Sequence, residues 1–257
     1  MTERGIRFFL FLLCIVPLAG CAAIAPSFVQ KPFSDAQVET ILSGIQKQHE
    51  KVSSFYRMGR VLAKKGLWEQ EAHVLIAGTK APFRIKVELT HPWGQPIAHI
   101  LVLGNRLEVL SYGEKTIYVS SLPTKVLSRF FPGPMNDDLL WAACRGYPVL
   151  PRQGRFASLK ARQIGVFDEK GHLIETLHFS EGLQPEKMSF QEAGVSVLFS
   201  DFREEEGIRY AQRVKMRHEE DGKNVTLDSA KVVFNKDIPN QIFVLEKPPG
   251  FKTVYLD

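Results

Sequence analysis

The stretch Arg84-Ile85-Lys86-Val87-Glu88-Leu89-Thr90 alternates polar and apolar residues at every position. In a β-strand, successive side chains point to opposite faces of the sheet, so Ile85, Val87 and Leu89 share one face. This alternation is typical of a strand with one buried and one solvated face, as found in antiparallel sheets. It therefore predicts a mainly β protein whose core lies on one side of a sheet.

Candidate strands extend from this stretch in both directions, because short apolar or alternating runs are separated by turn residues. They cover 57–64, 70–78, 84–90, 97–103, 106–112, 115–120, 161–168, 172–179, 187–191, 195–203, 208–218, 224–234 and 240–246. Residues 149–160 are predicted to be a loop. Short separators favour antiparallel neighbours, and one sheet of about 11 to 12 strands tends to curl. We therefore predict a mainly β (α+β) fold with one long curved antiparallel sheet, an incomplete β-barrel.

The first predicted helix covers residues 35–56. Apolar residues recur there at helical spacing, with charged and amide residues on the opposite side. They are Val38, Ile41, Leu42, Ile45, Val52, Phe55 and Tyr56. Ser34 or Asp35 is suited to cap the N-terminus, because a short oxygen-bearing side chain accepts a hydrogen bond from a free backbone N–H there.

A central helical pair is predicted between the two groups of strands. The first helix, over 124–131, ends at Pro132-Gly133-Pro134. The second is capped by Asn136 and ends before Gly146 and Pro148. Three short helices cannot cover the whole apolar face of so long a sheet, so we expect them to form a partial lid over it.

Composition and motifs argue against several functions. The chain of 257 residues is 44% hydrophobic and 24% charged, as is usual for a globular protein. Its net charge of +5 is spread along the chain, without the stripe of basic and aromatic residues expected of a nucleic-acid binder. No nucleophile elbow or phosphate-binding glycine loop occurs, and the seven histidines lack metal-ligand spacing. We therefore predict no enzyme activity, no cofactor and no metal site.

Cysteine use excludes a disulfide framework. The three cysteines are Cys14, Cys21 and Cys144. Cys14 lies in an apolar segment near the N-terminus, and Cys144 lies in the apolar stretch 139–144. We interpret Cys144 as a small buried apolar residue rather than a nucleophile.

The N-terminus has the layout of a bacterial secretory signal peptide. Arg4 and Arg7 precede an apolar run over 8–16 that is too short to span a membrane. The run leads into Leu18-Ala19-Gly20-Cys21, which resembles a lipobox, the cleavage site of bacterial lipoproteins. The resemblance implies cleavage before Cys21 and attachment of acyl chains such as palmitate to Cys21.

The lipobox also implies a location and a division of the chain. Two or three acyl chains hold a protein firmly on a membrane. Cys21 is followed by Ala22, whereas an Asp at that position retains enterobacterial lipoproteins in the inner membrane. This implies a lipid-anchored protein of the outer membrane that faces the periplasm. We expect a signal peptide over 1–20, a lipidated tether over 21–34 and one domain over 35–257.

The element order and the lipobox together resemble the LolA/LolB superfamily of periplasmic lipoprotein carriers and outer-membrane lipoprotein receptors. The resemblance rests on 55–61, on 83–94, on the helical pair at 124–147 and on 240–250, the last being similar to a related group of bacterial lipoproteins. It implies an incomplete β-barrel closed by helices, with an apolar hollow that shelters acyl chains. Extra residues around 149–160, around 180–195 and after 245 depart from the family pattern and leave the cargo open.

The resemblance implies two sites. The loop Pro92-Trp93-Gly94 matches the receptor loop whose protruding apolar residue helps insert the cargo lipid into the membrane, and Trp93 takes that residue's place. The predicted lining of the lipid-binding cavity is Ile41, Ile45, Val52, Ile85, Val87, Leu89, Ile100, Val102, Val109, Phe130, Phe131, Leu140 and Trp141. In the carrier branch an arginine holds the lid; Arg57, Arg60 and Arg84 all lie near the region where the resemblance places it, and the sequence does not choose among them.

Two functions therefore remain open. One is the reception or transfer of lipids or lipoproteins at the outer membrane, with the membrane, acyl chains and a periplasmic lipoprotein carrier as partners. The other is a structural or interaction lipoprotein of an envelope complex that uses the same fold without cargo. An apolar cavity of several hundred cubic ångströms would favour the first, and an interior filled by side chains would favour the second.

Overall fold

The computed structural model describes residues 31–121, 132–133, 135–220 and 222–256. They form one sheet of fourteen strands with two α-helices. The helices are α1 (Asp35–Glu50) and α2 (Asp137–Arg145). The strands are β1 (Ser54–Lys65), β2 (Trp68–Thr79), β3 (Arg84–Thr90), β4 (Pro96–Leu103), β5 (Arg106–Ser111), β6 (Thr116–Ser121), β7 (Arg155–Ser158), β8 (Gln163–Phe167), β9 (Leu173–Phe179), β10 (Pro185–Phe190), β11 (Val195–Glu205), β12 (Ile208–His218), β13 (Asn224–Phe234) and β14 (Lys252–Tyr255).

The strand order is β14-β6-β5-β4-β3-β2-β1-β13-β12-β11-β10-β9-β8-β7. β1 joins the two halves of the sheet, because it pairs with β2 on one side and with β13 on the other. Neighbouring strands are antiparallel except for β14, which runs parallel to β6. β7 and β14 form the two edges, so the sheet is open and not closed into a barrel. The predicted mainly β fold with one long open sheet is confirmed.

α1 begins at the predicted cap. The Ser34 hydroxyl accepts a hydrogen bond from the backbone N–H of Gln37, and the Gln37 side chain accepts one from the backbone N–H of Ser34, which completes a capping box. The prediction that this helix continues to residue 56 is wrong, since α1 ends at Glu50. Phe55 lies in β1 between Gly78 of β2 and Phe234 of β13. Pairing with two strands therefore outweighs the helical spacing, and Phe and Tyr also favour strands.

α2 is the second helix of the predicted central pair. The Asn136 side chain accepts a hydrogen bond from the backbone N–H of Leu139 at 2.8 Å, as predicted for the cap. Gly146 ends the helix in the left-handed conformation with φ of 82°, and its N–H donates to Ala142 O at 2.9 Å. The first helix of the pair, predicted over 124–131, lies outside the described residues.

The sheet curves around α2. A flat set of six adjacent strands from β4 to β12 would be about 24 Å wide. Ile100 of β4 and Val214 of β12 nevertheless line the same small cavity of about 60 Å³, together with Ala143 and Cys144 of α2. The strands must therefore bend towards each other, which places α2 inside the concave, apolar face.

The C-terminal segment corrects another prediction. Residues 240–246 do not form a strand; Asn240–Phe243 form a 3-10 turn. Phe243 is buried on the outer face of the sheet against Ala77 and Leu101, and the Arg84 guanidinium lies 4.3 Å from the centre of its ring. This segment thus buries apolar groups on the face opposite α2.

Two short strands were not predicted. β7 and β14 have four residues each, and β7 lies within 149–160, which the sequence predicted to be a loop. Each has a single neighbouring strand, because each lies at an edge of the sheet. Four residues contain too few alternations to be distinguished from a loop by pattern alone.

Candidate functional site

A small apolar cavity lies between α2 and the concave face of the sheet. Its volume is about 60 Å³, enough for a few water molecules. The lining residues are Val61, Val74, Ile76, Val87, Leu89, Ile100, Ala143, Cys144, Val214, Met216, Val225 and Leu227. Since every lining residue has an apolar or thiol side chain, this cavity offers no group that orients a polar ligand.

The predicted cavity residues divide into four groups. Val87, Leu89 and Ile100 line the 60 Å³ cavity, and Trp141 lines a separate groove. A larger group is buried in the packed core: Ile41, Ile45, Val52, Ile85, Val102, Val109 and Leu140. Phe130 and Phe131 lie outside the described residues. The described residues therefore fill most of the interior with their own side chains.

Arg57 fastens α2 to the sheet. Its guanidinium is fully buried, with Nη1 3.0 Å from Cys144 O at the end of α2. Nη2 donates to Ala211 O and to Gln212 O, and Nε donates to Ser229 Oγ. Burial lowers the pKa of Arg57 to about 10, which leaves it charged at neutral pH. One side chain thus connects α2, β12 and β13.

Among the three arginines that the sequence left open, only Arg57 contacts α2 in the described part of the chain. Arg60 is exposed on the outer face and forms an ion pair with Glu71 at 3.3 Å. Arg84 also lies on the outer face, where Nη1 is 2.8 Å from Asn240 Oδ1. Successive odd residues of β1 point inward, so Arg57 and Phe55 share the concave face.

A second buried arginine connects the two helices. Arg145 Nη2 donates to Gln48 O near the end of α1 at 2.7 Å, and its guanidinium lies 4.8 Å from the centre of the Tyr147 ring. Its Nε and Nη1 have no hydrogen-bond partner among the described residues. Burial and the charge of Arg57 lower the pKa of Arg145 to about 10. Two cations are therefore buried near the end of α2, and neither forms an ion pair in the described structure.

A buried carboxyl group lies on the concave face near the start of α2. Glu175 of β9 is 4% exposed, and its Oε1 has no hydrogen-bond partner among the described residues. Burial, and secondarily the charge of Asp138, raise the pKa of Glu175 to about 8. Burial and the neighbouring Asp137 also raise the pKa of Asp138. Glu175 is therefore largely protonated at neutral pH.

A larger groove lies on the other side of α2, between α1, α2 and residues 149–152. Its volume is about 940 Å³. Apolar lining comes from Val38, Leu42, Phe83, Trp141, Val149, Leu150, Pro151 and Phe156, and polar lining comes from Asp35, Glu39, Ser43, Gln46, His49, Lys80, Asp137, Asp138 and Arg152. The groove is thus amphipathic, in contrast to the apolar cavity beneath α2.

The loop Pro92-Trp93-Gly94 projects from the sheet between β3 and β4. Trp93 is 69% exposed, and its ring stacks on His91 with a centroid distance of 4.4 Å. Trp93 Nε1 donates to Gln95 Oε1 at 3.3 Å. The loop therefore presents an aromatic ring to its surroundings in a fixed orientation.

The neighbouring hairpin turn, between β1 and β2, presents two more apolar side chains. Leu67 is fully exposed and Trp68 is 55% exposed. β2 pairs with β3 only as far as His73 and Thr90, so Trp68 lies about 17 Å beyond that pair along an extended strand. The two loops therefore lie at the same end of the strands. The sequence reasoning missed this turn because it used Lys65-Gly66 only as a strand separator.

Other chemistry has little support in the described residues. They contain no group of three or more His, Cys, Asp or Glu side chains placed to hold a metal ion. Cys144 is buried as predicted, and burial raises the pKa of its thiol to about 12, so it stays protonated and unreactive. Within the described part of the chain, we find no helix of the length and apolarity needed to span a membrane.

Arg57 was one of three arginines that the sequence left open, whereas Arg145 and Glu175 were not predicted as site residues. Charged residues are almost never fully buried, so the alternation of polar and apolar residues does not predict the burial of these three. Only the outcome of folding shows that Arg57 and Glu175 point to the concave face and Arg60 to the outer one.

Among the comparisons with known proteins, only the one with solved structures supports the fold. No family model matches the sequence, and no curated protein matches it. The crystal structure of a LolA superfamily protein from Nitrosomonas europaea matches 80% of this chain and 97% of its own, with a TM-score of 0.55 and 17% identity.

Two further crystal structures show weaker likeness. A DUF1329 family protein from Desulfovibrio piger has a TM-score of 0.47 and 10% identity, with 80% of this chain and 97% of its own covered. A domain named for outer membrane lipoprotein sorting, from Vibrio parahaemolyticus, has a TM-score of 0.46 and 10% identity, with 80% of this chain and 96% of its own covered. The open sheet around α2 and the likeness to the Nitrosomonas structure confirm that this chain has the LolA/LolB-like fold.

Proposed function

We propose that this protein is an outer-membrane lipoprotein, anchored through Cys21 and facing the periplasm, that binds acyl chains of lipids or lipoproteins beneath α2. Cys21 lies outside the described residues, so the anchor rests on the lipobox. In this proposal α2 is a lid: it lies over the cavity when no cargo is bound and moves away when an acyl chain enters.

One observation carries this proposal: α2 covers a wholly apolar cavity on the concave face, and the end of α2 is held to the sheet by Arg57 and by one backbone hydrogen bond, from Ala211 N to Gly146 O at 2.7 Å. Each methylene that leaves water stabilises a bound chain by about 0.8 kcal/mol. A dozen methylenes would therefore offset the loss of several hydrogen bonds at about 1 kcal/mol each. Moving α2 is energetically compatible with binding one acyl chain.

Binding is tested with an uncharged fluorescent monoacylglycerol, which does not respond to the charges of the groove. We expect saturable binding at a ratio near 1:1. Ala143→Leu fills the cavity beneath α2 with three more carbons and should weaken binding at least tenfold. Thr40→Leu adds apolar volume to the exposed side of α1 and serves as the matched control, with unchanged binding.

The cavity volume also favours a second candidate, a structural lipoprotein of an envelope complex. A cavity of about 60 Å³ is far below the several hundred cubic ångströms expected of an open lipid site. If the monoacylglycerol shows no saturable binding, the acyl-binding proposal is wrong and the structural role takes its place. Binding that Ala143→Leu leaves unchanged would place the acyl site elsewhere.

We further propose that the loop at Trp93 contacts the membrane during transfer. The amphipathic indole ring prefers the interface between water and the bilayer. Trp93→Glu should leave the melting temperature unchanged and slow the transfer of a fluorescent lipopeptide to liposomes severalfold. Trp93→Phe keeps an apolar ring and is the control. Transfer by the Glu variant at the rate of the unmodified protein would remove this role from Trp93.

A further inference from the structure

The groove on the outer side of α2 has one end with a strong excess of positive charge. Burial lowers the pKa of His49, and the nearby charges of Lys80, Arg145 and Arg152 lower it further. The charge of Glu50 opposes them at His49 and Lys80, and Asp138 lies close to Arg152. His49 has a pKa of about 4 and is neutral at pH 7. Arg145, with a pKa of about 10, stays charged at that pH.

Hydrogen-bonding groups at this end also lack partners. Trp141 is 2% exposed, and its indole Nε1–H has no acceptor in the described structure. His49 Nδ1 likewise has no partner there. Lys80 Nζ makes one long contact of 3.4 Å with His49 O, and no ion pair of Arg152 is found among the described residues. A buried donor without a partner is costly, so an acceptor from a ligand would stabilise this arrangement.

The opposite end of the groove is acidic. Asp35 and Glu39 lie in the first turns of α1. Asp137 and Asp138 lie in the first turn of α2, one turn from Trp141, where burial raises the pKa of Asp138 and the nearby charge of Arg152 lowers it. Along α1, residue 35 is about 21 Å from residue 49. An anion would therefore be repelled from Asp35 and Glu39 and attracted to Lys80, Arg152 and the buried Arg145.

Between the two ends, apolar side chains line the groove beside Ser43 and Gln46 of α1. Leu42, Phe83, Leu150 and Phe156 line it, and the Trp141 ring is held by Phe55 with a centroid distance of 5.1 Å. Apolar walls joined to a cationic end match a molecule with a short apolar chain and a negative headgroup. A free inorganic anion would leave these walls in contact with water.

We propose that the groove between α1 and α2 binds a single-chain amphiphile with an anionic headgroup of the phosphate monoester class. The headgroup lies against Lys80, Arg152, His49 and the Trp141 N–H, and the chain lies along the apolar walls. This site is separate from the cavity beneath α2, because Trp141 lines the groove whereas Ala143 and Cys144 line the cavity.

The test uses Trp141 as its own reporter. The chain has three tryptophans, and Trp68 and Trp93 are exposed at loop ends, so Trp68→Phe with Trp93→Phe leaves Trp141 alone. The full chain with these changes is reconstituted in phosphatidylcholine liposomes and titrated with hexyl phosphate, inorganic phosphate and hexyl glucoside. We expect a saturable change in Trp141 fluorescence with hexyl phosphate, and at least tenfold weaker binding of the other two.

Charge variants identify the cationic end. Lys80→Gln with Arg152→Gln should weaken hexyl phosphate binding at least tenfold. Lys47→Gln with Lys231→Gln changes the net charge by the same amount at exposed positions outside the groove and should change binding less than twofold. Thermal unfolding of both pairs checks that the fold is kept, and the single variant Arg152→Gln replaces the pair if Lys80→Gln unfolds.

Several results would overturn the proposal. One is the absence of a saturable response to hexyl phosphate, and another is an equal loss of hexyl phosphate affinity in the two pairs of charge variants. Equal affinity for inorganic phosphate and hexyl phosphate would indicate a site for a free anion. Ala143→Leu should leave the hexyl phosphate titration unchanged. If Ala143→Leu abolishes acyl binding but spares hexyl phosphate, the two sites are independent; if it weakens both equally, the groove is not a separate site.

Discussion

The two sides of α2 differ in almost every physical property. The side towards the sheet encloses about 60 Å³ lined by apolar and thiol groups, whereas the side towards α1 borders about 940 Å³ with charged groups at both ends. The inner side receives one hydrogen bond from a buried arginine, and the indole N–H on the outer side has no acceptor among the described residues. One helix of nine residues therefore separates a small apolar cavity from a large amphipathic groove.

This difference shows that few polar contacts are needed to hold α2 against the sheet. Arg57 donates to one carbonyl at the end of α2, and Ala211 N donates to Gly146 O at 2.7 Å. The rest of the inner side packs by apolar contact. Apolar packing is strong but not directional, and an acyl chain can replace it with similar contacts. The outer side is different, because its charges recognise only a ligand of matching charge.

The largest expected effect comes from removing the arginine on the inner side. Arg57→Met leaves the carbonyls of Cys144, Ala211 and Gln212 buried without their donor. We expect the free energy of unfolding to fall by about 3 to 5 kcal/mol, measured by urea denaturation. Arg60→Met, two residues away with an exposed ion pair, should cost less than about 1 kcal/mol. Equal losses in both variants would show that Arg57 does not fasten α2.

The next effect compares the two helices through the same substitution. Gly146 at the end of α2 has φ of 82°, and an added Cβ would lie 2.8 Å from Ala211 O. Gly146→Ala should therefore lower the free energy of unfolding by about 2 to 3 kcal/mol. Gly44 lies in α1 with no atom within 4 Å of an added Cβ, so Gly44→Ala should raise it by about 0.5 to 1 kcal/mol. Thermal and urea unfolding measure both changes, and the same sign in the two variants would contradict this account.

A smaller effect appears in the pH dependence of stability. Glu175 has a folded pKa of about 8, raised above its unfolded value of 4.5. Between these values the folded state keeps a proton that the unfolded state has lost, so stability falls as pH rises through this window. From pH 6.5 to 8 we expect a loss of about 2 kcal/mol, because each pH unit corresponds to about 1.4 kcal/mol.

Two variants isolate this group. Glu175→Gln should flatten the curve above pH 6.5, whereas Glu186→Gln, at an exposed position of neighbouring β10, should leave the slope unchanged. His49 has the opposite effect on stability at lower pH. Its folded pKa of about 4 lies below its usual 6.5, so stability is lost as pH falls from 6.5 towards 4. The window above pH 6.5 therefore reports on Glu175. An unchanged slope in Glu175→Gln would mean that this carboxyl is ionised in the folded protein.

Much of the fold followed from short stretches of sequence. The alternation over 84–90 predicted β3, and Ser34, Asn136 and Gly146 predicted three helix ends. The predictions for the end of α1 and for residues 240–246 were wrong, because the apolar residues there pack against distant parts of the chain. The loop at Trp93 was proposed from sequence, but the exposed turn at Leu67 and Trp68 was not.

The sequence by itself determined strand direction, turns, caps and the apolar face of each strand, since these depend on hydrogen bonds and periodicity among residues close in the chain. Only the tertiary structure decided that β1 pairs with β13, that Arg57 rather than Arg60 reaches α2, and that Trp141 faces a groove instead of the inner cavity. These outcomes depend on contacts between residues separated by about a hundred positions, and such contacts leave no local pattern.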